Sequence, residues 1–215
     1  MTWVSDHWNE IFTLARSHVW LSGLPLILGL VIALPLGWAA RRWSRIYPVL
    51  ISTSGLLYTI PSLALFIIMP IILGTQVLDP VNVVVAMTIY TVALLVRTVA
   101  DGLGSVPDHV LQAARAMGYG GLRRFVGVEL PLAVPVIAAG LRVAAVSNVS
   151  IVSVASLVGI SQLGNLMTDG YARLIYSEII AGLVACVVLA LVFDGLILLA
   201  QRLLTPWLPA QGGRA

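Results

Sequence analysis

Four stretches of this chain are almost wholly apolar for about 20 residues or more: Leu21–Ala40, Tyr47–Leu73, Val81–Ala100 and Ile175–Leu204. A helix needs roughly 20 apolar residues to cross a hydrocarbon core of about 30 Å, so each predicts a membrane span. A fifth stretch, Leu130–Ile160, is apolar but interrupted by Pro131, Pro135 and four serines (Ser147, Ser150, Ser153, Ser156). Tyr47–Leu73 is long enough to split at Pro61 and Pro70. The arginines decide against splitting it. Arg41, Arg42 and Arg45 follow the first span, and two further crossings return Arg115, Arg123 and Arg124 to the same side. Two more bring Arg202 and Arg214 there, leaving Arg16 and Arg173 opposite. Positive loop charge gathers on the cytoplasmic side. The expectation is therefore an all-α integral membrane protein with five transmembrane helices, its N-terminus outside and its C-terminus cytoplasmic.

Ahead of the first span, Trp3, Val4, Trp8, Ile11, Phe12 and Ala15 recur at helical spacing among polar residues. The pattern predicts an amphipathic segment along the outer interface. Trp3, Trp8 and Trp20 at one face, with Trp38, Trp43 and Trp207 at the other, suit an aromatic belt. A second reading has the outer tryptophans meet a quaternary ammonium through cation–π attraction. The domains expected are 1–20, an external amphipathic segment; 21–204, the membrane domain; and 205–215, a cytoplasmic tail.

Composition agrees with burial in lipid: of 215 residues, 60% are hydrophobic and 10% charged, against about 25% charged in soluble domains. Net charge is +3 with no lysine at all. Because the arginines flank apolar spans, they argue for membrane topology over nucleic-acid binding. The single cysteine, Cys186, offers no disulfide framework, and no secretory signal is expected in residues 1–18.

Residues 101–129 form the longest polar interval. Ser105 is placed to cap a helix, Pro107 to occupy its first turn, and Asp108 to sit at its positive end. The helix is expected to run through Met117 and stop at Gly118. Ala113 and Ala114 leave a smooth patch suited to insertion into another protein's groove, although an ordinary surface helix shares the pattern.

Here Gln112-Ala113-Ala114, then Gly118, then Val128-Glu129-Leu130-Pro131 resembles the EAA loop of ABC importer permeases. That pattern is Glu-Ala-Ala, three residues, Gly, nine residues, an aliphatic, one residue, then Leu-Pro. Every spacing is met, with Gln112 replacing the glutamate and Val128 the isoleucine. Thr59-Ile-Pro-Ser-Leu-Ala-Leu65, Ala139-Gly-Leu-Arg142 and Gly159-Ile-Ser-Gln-Leu-Gly164 are similar to osmoprotectant permeases, which take up glycine betaine, choline or carnitine. Ser161 and Gln162 stand where that family is usually Gly-rich. The resemblance implies the type I ABC importer permease fold, with Gln112, Ala113, Ala114, Gly118, Leu130 and Pro131 coupling to an ATPase through a cytoplasmic coupling helix. It further implies a bacterial cell membrane, a second permease subunit (identical or not), two ATP-binding ABC subunits holding ATP and Mg, and an external substrate-binding protein. This chain itself would bind no cofactor. A permease for methionine or a sulfonate, or a secondary transporter, are the alternatives.

Arg142 and Asp194 fall near the middle of their spans, where an unpaired charge is costly, and they are expected to pair. Pro61 should break the second span, with Thr59 and Ser62 satisfying the freed backbone groups. Pro61, Ser62, Arg142 and Asp194 are the candidates for a translocation pathway or gate, a packing kink and a structural lock being the competing readings. Glu178 has no evident partner. His7, His18 and His109 are expected outside the spans and away from any ligand cluster, so neither catalytic nor metal-binding residues are assigned.

Overall fold

A computed structural model describes residues 2–43 and 45–207, in which every regular element is helical. A short α1 (Thr2–Asp6) precedes α2 (Trp8–Arg42), α3 (Ile46–Thr59), α4 (Ser62–Leu73) and α5 (Pro80–Gly104). Then come α6 (Asp108–Ala116), α7 (Gly121–Arg124), a π-helical turn at Phe125–Glu129, and α8 (Leu130–Ser153). A 3₁₀ turn at Val154–Val158, α9 (Gly164–Arg173) and α10 (Tyr176–Leu204) complete the described chain. Most of the tail expected over 205–215, Arg214 included, lies outside the described residues.

α2 runs unbroken for 35 residues, roughly 50 Å at 1.5 Å per residue. Residues 8–20 therefore continue the helix of the first span without a break, and the only separate helix ahead of it is α1 among the described residues. The stripe Gly29, Ala33, Gly37 lies against α5. A Cβ on Gly29 would fall 2.4 Å from Thr91 Cγ2, and one on Gly37 2.6 Å from Val99 Cγ1. Small residues four apart bring two backbones together where lipid offers no hydrophobic drive for association. That contact makes α5 the centre of the bundle, with Met87, Leu95, Val96 and Val99 fully enclosed. Asp79 starts α5 by accepting from the Val81 N–H at 2.9 Å, with Pro80 in the first turn.

The second apolar stretch is broken where Pro61 sits. Ile60 and Pro61 are extended, and α3 and α4 meet at 101°. Tyr90 on α5 donates its hydroxyl to the freed Ile60 carbonyl. Thr59 instead serves its own helix, donating to Leu56 O at 2.7 Å.

The ends of the helices set the topology. The starts of α2 and α5 and residues 159–161 line one cavity. The ends of α2 and α5, with α6 and Glu129 just ahead of α8, line another. α2 and α5 thus run the same way, so α3 and α4 together make the return crossing. α8 returns again, and α10 runs back until Leu204 and Trp207 lie beside Leu130 and Pro131. Among the described residues the chain crosses five times.

Candidate functional site

The loop end of the bundle is built on a buried ion pair. Arg124 Nε lies 2.5 Å from Glu129 Oε1, and both side chains are largely enclosed. The π-helical turn places them five residues apart on one side, and Phe125 from the same turn packs on Trp38 of α2, with ring centroids 5.8 Å apart. α6 rests on this base. Ser105 does not cap α6, as its position suggested. α5 extends to Gly104, so Ser105 closes that helix, donating its hydroxyl to Gly102 O at 2.8 Å, and Pro107 takes the N-cap position of α6. Asp108 stands in the first turn. At the other end Gly118 is left-handed at φ 78°. The Tyr119 N–H then reaches Ala114 O at 3.0 Å, and the Gly118 N–H reaches Arg115 O at 2.9 Å. Only glycine reaches this conformation without penalty.

The expected smooth patch divides. Ala114 is buried at 1% exposure against its own chain, whereas Met117 is 68% exposed. His109, Gln112, Ala113 and Ala116 are exposed as well and recur at helical spacing. They form the face a partner can reach. Leu130 and Pro131 are half-buried at the start of α8 and anchor the loop.

Arg142 and Asp194 meet in a forked pair, with Nε to Oδ1 at 2.5 Å and Nη2 to Oδ2 at 3.0 Å. The pair ties α8 to α10 and is itself half-exposed. Pro61 is exposed and Ser62 half-buried at the α3–α4 bend. There Tyr58 and Tyr90 stack edge to face at 5.7 Å. The bend packs on α5 and the 3₁₀ turn, so these four candidate residues form two places and not one. Arg97 and Asp101 lie 3.6 Å apart and exposed. Glu178 does have a partner: Arg173 Nη2 donates to Oε1 at 2.8 Å.

A polar network that sequence reasoning missed lies inside the bundle. His18 is not outside the spans. It is fully buried on α2, with its ring nitrogens 2.9 Å from Gln162 Oε1 and 3.0 Å from the Val149 carbonyl. Gln162 also accepts from the Gly164 N–H at 2.5 Å and donates to Ser153 O at 3.1 Å. Its own N–H donates to Asn165 Oδ1 at 2.9 Å. Asn148 donates to Thr91 Oγ1 at 2.9 Å and to Ser22 O at 3.3 Å. These bonds join α2, α5, α8 and the turn before α9. The only sequence signal was polar residues within apolar stretches, and satisfied bonds inside a low-dielectric core specify one arrangement.

No group of three or more His, Cys, Asp or Glu side chains suited to a metal ion occurs among the described residues.

Comparison with known proteins agrees with this architecture. The profile of the family "binding-protein-dependent transport system inner membrane component" matches residues 26–208. The chain is 33% identical to the osmoprotectant import permease protein OsmW of Salmonella typhimurium, covering 94% of each. It is 28% identical to the glycine betaine/carnitine/choline transport system permease protein OpuCB of Bacillus subtilis, over 96% of this chain and 94% of that one. Among solved structures, an inward-facing form of the MetNI methionine ABC transporter superposes with a TM-score of 0.80 at 20% identity, covering 91% of this chain and 96% of that chain. The fold is that of type I ABC importer permeases. The chain belongs to the family of binding-protein-dependent transport system inner membrane components.

Proposed function

We propose that this chain is the membrane subunit of an ATP-driven importer for quaternary-ammonium osmoprotectants such as glycine betaine, carnitine and choline. The observation that carries the reading is the exposed face of α6, held on the buried Arg124–Glu129 pair at one end of a five-crossing bundle. A short helix seated on a buried ion pair and exposed on its far face is suited to dock into a partner's groove and move with it. The partners are two ATP-binding subunits that hold ATP and Mg, a second permease subunit, and an external substrate-binding protein. ATP hydrolysis belongs to those partners. Residues 101–129 and the tail lie in the cytoplasm and the start of α2 outside. This orientation places Arg41, Arg42, Arg115, Arg123 and Arg124 on the cytoplasmic side. The bend at Pro61–Ser62 and the Arg142–Asp194 pair lie on elements that shift as the ATPases close, giving alternating access. The substrate class follows the names of the relatives.

Uptake of labelled glycine betaine in a host lacking its own osmoprotectant carriers tests this reading. Co-expression with the ATPase and substrate-binding protein of an osmoprotectant importer should restore uptake, and removing the ATPase should abolish it. Uptake of methionine or a sulfonate alone would reassign the substrate. Uptake that persists without the ATPase would remove the importer class.

A further inference from the structure

The end of the bundle opposite α6 holds a cavity of 580 Å³ between α2, the start of α5 and the 159–161 turn. Thr13, Arg16, Ser17 and Trp20 line it from one face of α2, with Gly159 and Ser161 opposite. Among the described residues Arg16 is the only charged one in its lining and makes no ion pair. Trp20 follows it by one turn and is 46% exposed. The facing wall is stiff. Gln162, directly behind Ser161, is fully buried and bonded to His18, Ser153, Gly164 and Asn165. Gly159 is left-handed and so close to Leu78 that an added Cβ would fall 2.8 Å from its Cδ2. The wall therefore does not need to be ordered by a ligand, which lowers the cost of binding.

We infer that this cavity is a low-affinity acceptor site for small zwitterions that carry both a carboxylate and a quaternary ammonium. The argument is one of charge and shape. A free guanidinium offers paired donors to a carboxylate. The indole face attracts a methylated ammonium, which cannot hydrogen-bond and so gains most from a ring. Side chains one helical turn apart stand about 5–6 Å from each other at Cβ, within the span of a short betaine. The hydroxyls of Thr13, Ser17 and Ser161 complete a polar rim without adding charge. Arg16 repels a cation that lacks the carboxylate, so the site discriminates betaine and carnitine from choline. The inference rests on the substrate class proposed above and gives this chain its own part in selecting within it.

The test uses the full chain, with the subunits that co-purify, in lipid nanodiscs without the binding protein. Binding of glycine betaine, choline, acetate and tetramethylammonium is followed by saturation-transfer NMR on their methyl protons. Glycine betaine should bind at least about tenfold more tightly than choline or acetate. Trp20→Leu should weaken it about three- to fivefold and Trp20→Phe largely restore it, while Arg16→Gln should remove the preference over choline. Filling the cavity with Ser161→Trp provides a variant that keeps both Arg16 and Trp20, and it should abolish the signal. Equal binding of betaine and choline, acetate binding as tightly as betaine, or indifference to all these substitutions overturns the site. Whole-cell uptake separates the two claims: betaine uptake unchanged in Arg16→Gln and Trp20→Leu, with no binding preference in nanodiscs, sinks the site and leaves the importer standing. Absence of betaine uptake in the unaltered transporter sinks the importer reading, whatever the nanodiscs show.

Discussion

Ala113 and Ala114 are adjacent and identical in chemistry, yet they face opposite ways. Ala114 is enclosed by its own chain, so Ala114→Trp should overpack the base of α6 and destabilise the subunit by about 1–3 kcal/mol. Ala113 is exposed, so Ala113→Trp should leave thermal stability unchanged but separate ATP hydrolysis from uptake in the assembled transporter. Measuring melting temperature and coupled transport on both variants distinguishes the faces, and identical behaviour would contradict the division. The Arg142–Asp194 fork makes a second residue-level prediction. Each single alanine strands one charge within the span, a loss of about 2–3 kcal/mol. Exchanging the two charges should recover most of it, as read by a double-mutant cycle on thermal unfolding. Simple additivity would argue against the pair. At this scale the sequence was only partly legible. Arg142 and Asp194 announced each other because a lone charge in a span demands a partner. His18 did not, because its bond to Gln162 joins positions 144 residues apart and a histidine beside Arg16 and Ser17 looks like a loop residue.

The elements were more legible than their meetings. Apolar length alone predicted the five stretches, and Pro61 marked the break between α3 and α4. The 101° angle and the role of Tyr90 in capping the free Ile60 carbonyl depend on α5 and are invisible in residues 47–73. Ser105 was misplaced for a related reason: α5 continues four residues beyond the apolar run, and whichever helix reaches a serine first uses it. The contact of α2 with α5 carries the element-scale prediction. Gly37→Leu drives a side chain into Val99 and Ala100, where neither backbone can retreat without tearing α2 from the centre of the bundle. The variant should lose at least about 2 kcal/mol, measured as loss of monodisperse subunit after detergent extraction. Leu substituted at the exposed Gly195, where an added Cβ meets nothing within 4 Å, should leave the stability of the isolated subunit nearly unchanged.

For the whole molecule, arginine distribution and helix direction lead independently to the same five crossings. The arginines count loop charge, while the cavities at the two ends show which helix termini lie together. Five crossings separate the start of α2 from the end of α10 by the full thickness of the membrane. Small residues pack α2 and α8 closely on α5, an added Cβ on Gly29, Gly37 or Gly140 falling 2.4, 2.6 or 2.3 Å from a side chain of α5, and the α3–α4 bend and the largely uncovered α10 lie at the margins of this group. On the proposed coupling, motion of α6 would pass into the bundle through the Arg124–Glu129 base and the start of α8. That account requires α6 to face the compartment where ATP is found. With Cys186 replaced by alanine, single cysteines at Ala113 and Ser161 can be labelled with a membrane-impermeant maleimide in intact cells and in inverted vesicles. The account predicts labelling of Ser161→Cys in cells and of Ala113→Cys only in inverted vesicles. Labelling of Ala113→Cys from the outside of intact cells would contradict it.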